Sequence, residues 1–229
     1  MNNIEKKLIA EFIGTFCLVF AGTGAIIIND VANGSISHVG IALTFGLIVM
    51  VMIYVIGDIS GAHINPAVTL GFYLSRQFPG RMFLPYILSQ CGGALSASFV
   101  LWLMFPLHPT LGATLPSGGA FQSFVMEFIL TWLLMFTILN VSTGSKEKGL
   151  FAGVVIGAVI MLAALFAGPV SGASMNPARS FAPAMAAVHF DSLWIYLTAP
   201  FLGAYAAVLT CRCVREKGCC IITRQESRI

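Results

Sequence analysis

Two copies of one tripeptide are the residues of this sequence best placed to do chemistry. Asn65-Pro66-Ala67 and Asn176-Pro177-Ala178 each open a short apolar stretch. Asparagine is a favoured N-cap of a helix, and proline is favoured at the first helical position, where no amide hydrogen is needed. Each tripeptide therefore predicts the start of a short helix, at which the asparagine amide can donate a hydrogen bond to a nearby oxygen.

The two apolar stretches, 65–74 and 176–187, are too short to cross a bilayer. A hydrocarbon core of ~30 Å needs about 20 apolar residues per helix. Six other segments reach that length, at roughly 8–28, 37–56, 82–105, 121–142, 149–167 and 193–211. The sequence thus predicts an all-α membrane protein with six transmembrane helices and two re-entrant half-helices.

The composition excludes most other classes of protein. Hydrophobic residues make up 58% of the chain and charged residues only 9%, against about 25% charged residues in a soluble domain. A net charge of +3 is too small for a nucleic-acid surface. The chain carries no phosphate loop, nucleophile elbow or metal-binding helix motif, so we expect no enzyme activity, cofactor or metal site. The tail cysteines, which are Cys211, Cys213, Cys219 and Cys220, could be free, lipidated or ligands of a soft metal.

Basic residues sort to one side of the predicted spans. Eleven of the twelve fall at the N-terminus, in the second and fourth connections, or in a tail at 212–229. They are Lys6, Lys7, Arg76, Arg81, Lys146, Lys148, Arg212, Arg215, Lys217, Arg224 and Arg228. The excess of Lys and Arg on cytoplasmic loops predicts that both termini are cytoplasmic. Arg179 alone falls on the outer side, three residues after Asn176.

The chain repeats itself, with one copy at about 8–105 and a second at about 121–211 of a single transmembrane domain spanning 1–229. AEFIGT (10–15) matches MEFILT (126–131), and SGAHINPA (60–67) matches SGASMNPA (171–178). Each copy has three spans, an odd number, so the second must enter the membrane inverted. Inverted repeats place related sites at the bilayer midplane. The two half-helix N-termini should meet there, and their partial positive charges oppose the passage of cations.

The segments SGAHINPAVT (60–69) and SGASMNPARS (171–180) resemble the two pore loops of the aquaporins and glycerol facilitators. The similarity runs from Glu11 to about Ala207. It implies a homotetramer with one pore per subunit, set in the lipid bilayer of the cell or plasma membrane. It further implies a passive channel for water and small uncharged solutes such as glycerol, excluding ions and protons. The run FAGPVSGASM (166–175) is most similar to the nodulin-type intrinsic proteins.

Arg179 resembles the arginine of the family's outer selectivity filter. Counting from the two asparagines, the resemblance assigns Phe45, Ala164 and Ala173 to the other filter positions. Strict water channels usually have a histidine where Ala164 stands, and glycerol facilitators have two aromatic residues, so neither subgroup matches. Ser180 and Ala184 follow the water-channel pattern, and a strictly water-selective channel remains the alternative.

Glu11, Glu127 and His63 are ionisable residues inside the predicted membrane region. Glu11 and Glu127 occupy matching positions of the two repeats. A proton-coupled transporter would use them as a relay, whereas the resemblance implies buried carboxylates that hold the pore loops. His63, two residues before Asn65, is expected to line the pore, and gating by pH is the alternative role.

Overall fold

The computed structural model describes residues 2–142 and 149–214. Within these ranges it has eight α-helices and no strand, with one 3₁₀ turn at Gly80–Met82. The helices are α1 Asn3–Val31, α2 Ser37–Ser60, α3 Pro66–Leu74, α4 Phe83–Met104, α5 Ala120–Ser142, α6 Ala152–Ser171, α7 Pro177–Ala187 and α8 Leu193–Val214. Predictions for Lys146, Lys148 and the tail from Arg215, including Cys219 and Cys220, lie outside the described residues.

The predicted architecture is confirmed. Six of the helices in the described ranges are long and apolar enough to cross a membrane, and α3 and α7 are the two short ones between them. Each short helix begins with Pro at its first position and is capped by the asparagine before it. The sequence signals that predicted the half-helices therefore operate in the structure as their chemistry requires.

Several span ends differ from the prediction by three to five residues, and two of them have identifiable reasons. α1 begins at Asn3 instead of residue 8, because Asn2 and Glu5 form a capping box at its N-terminus. α6 continues to Ser171 instead of ending at residue 167, and it contains Pro169. A proline is expected to end or kink a helix at this point, and the contact that permits the continuation is described below.

The packing of the helices follows the repeat. α1 packs on α2 and α4 in the first copy, and α5 packs on α6 and α8 in the second. Each half-helix lies against the last span of both copies, since α3 and α7 each contact α4 and α8. Equivalent helices of the two copies also pack on each other, α2 on α6 and α3 on α7. These pairs therefore lie about the pseudo-two-fold axis that relates the copies.

Glycines let the spans approach closely. A Cβ on Gly46 of α2 would lie 2.6 Å from the carbonyl oxygen of Gly157 on α6, and a Cβ on Gly157 would lie equally close to that of Gly46. Gly93 of α4 and Gly203 of α8 abut the backbones of α1 and α5 in the same way. Small residues at such crossings are how helices pack in lipid, where no hydrophobic force drives them together.

Candidate functional site

A cavity of about 530 Å³ lies between the two repeats. Its walls come from α1, α2, α5, α6, the two half-helices with the loops that precede them, and residues 113–115. Along α2 it extends from His38 to Ile53, and along α6 from Ala152 to Pro169. At 1.5 Å per residue these stretches cover about 22 and 25 Å. The cavity thus runs through most of the ~30 Å thickness of a bilayer core.

One wall of the cavity is apolar. Its side chains recur every four residues or nearly so along three helices, which places them on one face of each helix. They include Ile41, Phe45, Val49 and Ile53 on α2, Leu134 and Ile138 on α5, and Ile156, Ile160 and Ala164 on α6. A wall of this kind offers a passing molecule no hydrogen bonds.

The two loops, 61–65 and 172–176, also line the cavity, and their conformations match. Gly61, Ala62 and Ile64 have positive φ angles, and so do Gly172, Ala173 and Met175 at the corresponding positions. A non-glycine residue in this region costs on the order of 1 kcal/mol or more. Such a conformation persists only where the surroundings hold it, so the contacts of the loops matter.

A buried carboxylate holds each loop. Glu11 accepts hydrogen bonds from the His63 and Ile64 amides at 2.9 and 2.7 Å, and from the Ser60 hydroxyl at 2.7 Å. The carboxylates of Glu11 and of its counterpart Glu127 are fully buried, and neither lines the cavity. In the second loop, Glu127 accepts hydrogen bonds from the Ser174 amide at 2.8 Å, the Met175 amide at 2.7 Å and the Ser171 hydroxyl at 2.8 Å. This geometry favours a structural role for the pair over a proton relay.

A pair of tyrosines that the sequence analysis missed completes the support of the loops. The hydroxyl of Tyr86 on α4 donates to the Ser60 carbonyl at 2.8 Å, and that of Tyr196 on α8 donates to the Ser171 carbonyl at 2.7 Å. The tyrosines lie 110 positions apart, within one residue of the spacing between Asn65 and Asn176. That spacing is the signal by which the repeat could have revealed them.

The two asparagines join the loops at the centre of the cavity. The Asn65 Oδ1 accepts from the Ala67 amide at 2.9 Å, and its Nδ2 donates to the Met175 carbonyl at 2.8 Å. Asn176 mirrors it, accepting from the Ala178 amide at 3.0 Å and donating to the Ile64 carbonyl at 2.9 Å. Both residues line the cavity. Each amide group has a second hydrogen, which can be donated to a molecule there.

Replacing Asn65 by Ala should lower the thermal stability of the purified protein and reduce its water permeability. The change removes a helix cap worth about 1 kcal/mol and leaves the buried Met175 carbonyl unpaired, at a further cost of about 1–3 kcal/mol. The matched variant is Asn65→Ser, which can still cap α3 but is too short to reach Met175. Thermal unfolding in detergent should rank the variants as Ala below Ser below unmodified; equal stability of all three would contradict the role given to the amide.

Arg179, the second residue after Pro177 in α7, is almost completely buried yet lines the cavity. Its Nη1 donates to the Gly112 carbonyl at 2.8 Å, and the guanidinium carbon lies 5.1 Å from the centroid of the Phe45 ring. Its Nε has no hydrogen-bond partner among the described residues. A buried donor without a partner costs free energy.

Phe45, Ala164 and Ala173, the other residues assigned to the filter, line the same cavity. Both alanines are 8% exposed, and neither extends beyond its β-carbon. An aromatic ring, a cation and two small methyl groups therefore contribute to the lining here.

His63 lies toward the other end of the cavity, away from Arg179. Its ring stacks on Phe72 with centroids 4.6 Å apart, and its Nδ1 lies 3.2 Å from the Thr69 hydroxyl. Both rings line the cavity. Within the described part of the chain, no cluster of His, Cys, Asp or Glu could hold a metal ion.

Comparisons with known proteins point to one family. The family model described as "Major intrinsic protein" matches residues 1–211. The chain is 48% identical over 214 residues to Aquaporin NIP1-4 of Oryza sativa subsp. japonica, covering 93% of this chain and 78% of that protein. It is 43% identical over 211 residues to Nodulin-26 of Glycine max, covering 92% and 78%. Among solved structures, the aquaglyceroporin from Plasmodium falciparum matches with a TM-score of 0.82 and 26% identity, over 90% of this chain and 94% of that one.

Proposed function

Because the chain belongs to the major intrinsic protein family, we propose that its cavity is the pore of a passive channel for water and small uncharged solutes such as glycerol. The chain is an integral, multi-pass membrane protein and not an enzyme. The observation that carries the proposal is the cavity itself, which runs between the repeats and is lined by apolar helix faces and by the two loops with their asparagines. A small molecule with a carbon backbone and hydroxyl groups fits such a lining.

The filter residues favour solutes larger than water. Phe45, Ala164, Ala173 and Arg179 are proposed as the narrow part of the pore, where Arg179 donates hydrogen bonds and repels cations. The two alanines leave room that bulkier residues would fill. The similarity to an aquaglyceroporin supports the same conclusion.

A strictly water-selective channel is the second candidate. It is favoured by Ser180, a residue of the water-channel pattern. The buried Ser180 hydroxyl forms hydrogen bonds with the hydroxyls of Ser174 and Thr114, close to the filter. A proton-coupled transporter has less support, because Glu11 and Glu127 are engaged by loop donors outside the cavity lining.

Stopped-flow light scattering on proteoliposomes tests the proposal. Under an osmotic gradient of an impermeant sugar, vesicles with the protein should shrink faster than empty vesicles, which reports water flow. Under a glycerol gradient they should shrink and then re-swell faster than empty vesicles. Rapid shrinkage without accelerated re-swelling would make the protein a strict water channel instead.

The proposed pore should carry no ions. The N-termini of α3 and α7 meet at its centre, each equivalent to roughly half a positive charge, and Arg179 adds a full charge nearby. Electrical recording from planar bilayers should therefore show no single-channel current in salt solution, at protein densities that give clear water flow in vesicles. A steady cation current from the unmodified protein would refute this part of the proposal.

We also propose that both termini are cytoplasmic, that the protein resides in the cell or plasma membrane and that it forms a homotetramer. The orientation rests on the distribution of Lys and Arg. The assembly rests on the family resemblance. Native mass spectrometry from detergent should give four chains per particle.

A further inference from the structure

His38 lines the cavity at the end nearer Arg179. It lies in the first turn of α2, seven residues before Phe45, and so on the same face of that helix. Its Nε2 is 2.7 Å from the carbonyl oxygen of Leu165 on α6. A histidine from one repeat is thus tied to the backbone of the other at the mouth of the pore.

Pro169 explains why this carbonyl is available. In an α-helix the Leu165 carbonyl would accept from the amide four residues later, but that residue is Pro169, which has no amide hydrogen. His38 supplies the missing donor. The same bond helps to explain how α6 continues past Pro169 to Ser171, beyond its predicted end.

Gly168 makes room for the ring. A Cβ at this position would lie 2.8 Å from Cε1 of His38, which is closer than packed atoms approach. The histidine ring therefore rests against the bare backbone of α6. The Leu165 carbonyl, Gly168 and Pro169 of α6 together fix the position of the His38 side chain.

The bond also fixes the chemistry of the ring. A carbonyl oxygen can only accept, so Nε2 must carry the hydrogen, and in the neutral imidazole Nδ1 then bears a lone pair. Nδ1 has no partner among the described residues. We propose that His38 is a further specificity-determining residue, whose Nδ1 accepts a hydrogen bond from a hydroxyl group of a solute entering the pore.

The inference rests on the proposed function and deepens it by naming the class of solute. The Arg179 guanidinium can only donate hydrogen bonds, and the helical wall between them is apolar. A polyol has hydroxyl groups that both donate and accept, and it can use the two residues together. His38 therefore favours small polyhydroxylated solutes over molecules that have acceptors alone.

The test is the ratio of glycerol to water permeability in proteoliposomes. His38→Phe keeps an aromatic ring against Gly168 but has neither nitrogen, and it should lower the ratio by about three- to tenfold, the factor expected for one lost hydrogen bond. His38→Gln, which has both a donor and an acceptor, should keep the ratio within about twofold. The matched control is His189→Phe, since His189 also contacts a carbonyl, that of Pro109 at 3.0 Å, but does not line the cavity.

The outcomes distinguish the proposed glycerol permeability from the proposed role of His38. If the unmodified protein passes no glycerol, the proposed solute range is wrong and the inference falls with it. If it passes glycerol and His38→Phe keeps the ratio, or loses water and glycerol flow in parallel, His38 is structural and only the inference is overturned. Should His38→Phe fail to assemble, Gly168→Ala makes the same test, because the added Cβ displaces the His38 ring without removing a nitrogen. An unchanged ratio of glycerol to water permeability in that variant would again refute the role of His38.

Discussion

Replacing Ala164 by histidine and Ala173 by cysteine in one variant should abolish glycerol flow and leave much of the water flow. Both methyl groups form the wall of the cavity beside Phe45 and Arg179. An imidazole and a thiol would project into the space that the proposed solute needs. Because rejection by a pore of fixed diameter is steric, we expect glycerol permeability to fall on the order of a hundredfold and water permeability far less.

Stopped-flow measurements of both permeabilities on the same vesicles give the result. The control is Leu162→His, a change on the same helix at a side chain that is 52% exposed on the outside of the bundle; both permeabilities should be retained. If the double variant passed glycerol as fast as the unmodified protein, the narrow part of the pore would have to lie elsewhere in the cavity.

Replacing Glu127 by Leu should prevent recovery of folded protein. The carboxylate accepts from two backbone amides and one hydroxyl, all buried, and leucine would leave these three donors unpaired. Each unsatisfied donor costs about 1–3 kcal/mol. The total is then a large part of the 5–15 kcal/mol by which proteins are stable, and the strained loop conformation would also lose its support.

Two further variants, Glu127→Gln and Glu5→Gln, serve as comparisons for Glu127→Leu. Glutamine keeps one oxygen acceptor, so Glu127→Gln should assemble but unfold at a lower temperature. Glu5 also accepts from a backbone amide, that of Asn2, but it is exposed at the start of α1, and its replacement should change little. Size-exclusion profiles and unfolding temperatures of the three variants are the measurements. Normal recovery and stability of Glu127→Leu would show that the carboxylate does not hold the loop.

The fold could be predicted from the sequence because its signals are local. Span length follows from bilayer thickness, and the half-helices follow from Asn-Pro, which caps and starts a helix wherever it occurs. The missed start of α1 at Asn3 was also encoded locally, by the capping box of Asn2 and Glu5. The extension of α6 past Pro169 was not, because the donor that serves the Leu165 carbonyl is His38, 127 residues away in the chain.

The asparagines, and the glutamates behind them, could be singled out because both copies of the chain carry them. Tyr86 and Tyr196 also repeat, yet they were missed because a tyrosine inside a span carries no local signal of its partner. The left-handed conformations of Ala62 and Ile64 could not be predicted, since nothing in these residue types requires them. They result from hydrogen bonds to Glu11, a residue about 50 positions earlier.

The most direct test of the central claim, a passive channel, is the initial rate of glycerol influx into proteoliposomes at increasing glycerol concentration, with and without a pH gradient. A channel whose carboxylates hold its loops and do not relay protons should give a rate that rises linearly with concentration and is the same under both conditions. A rate that saturates and responds to the pH gradient would contradict this account and identify a proton-coupled transporter.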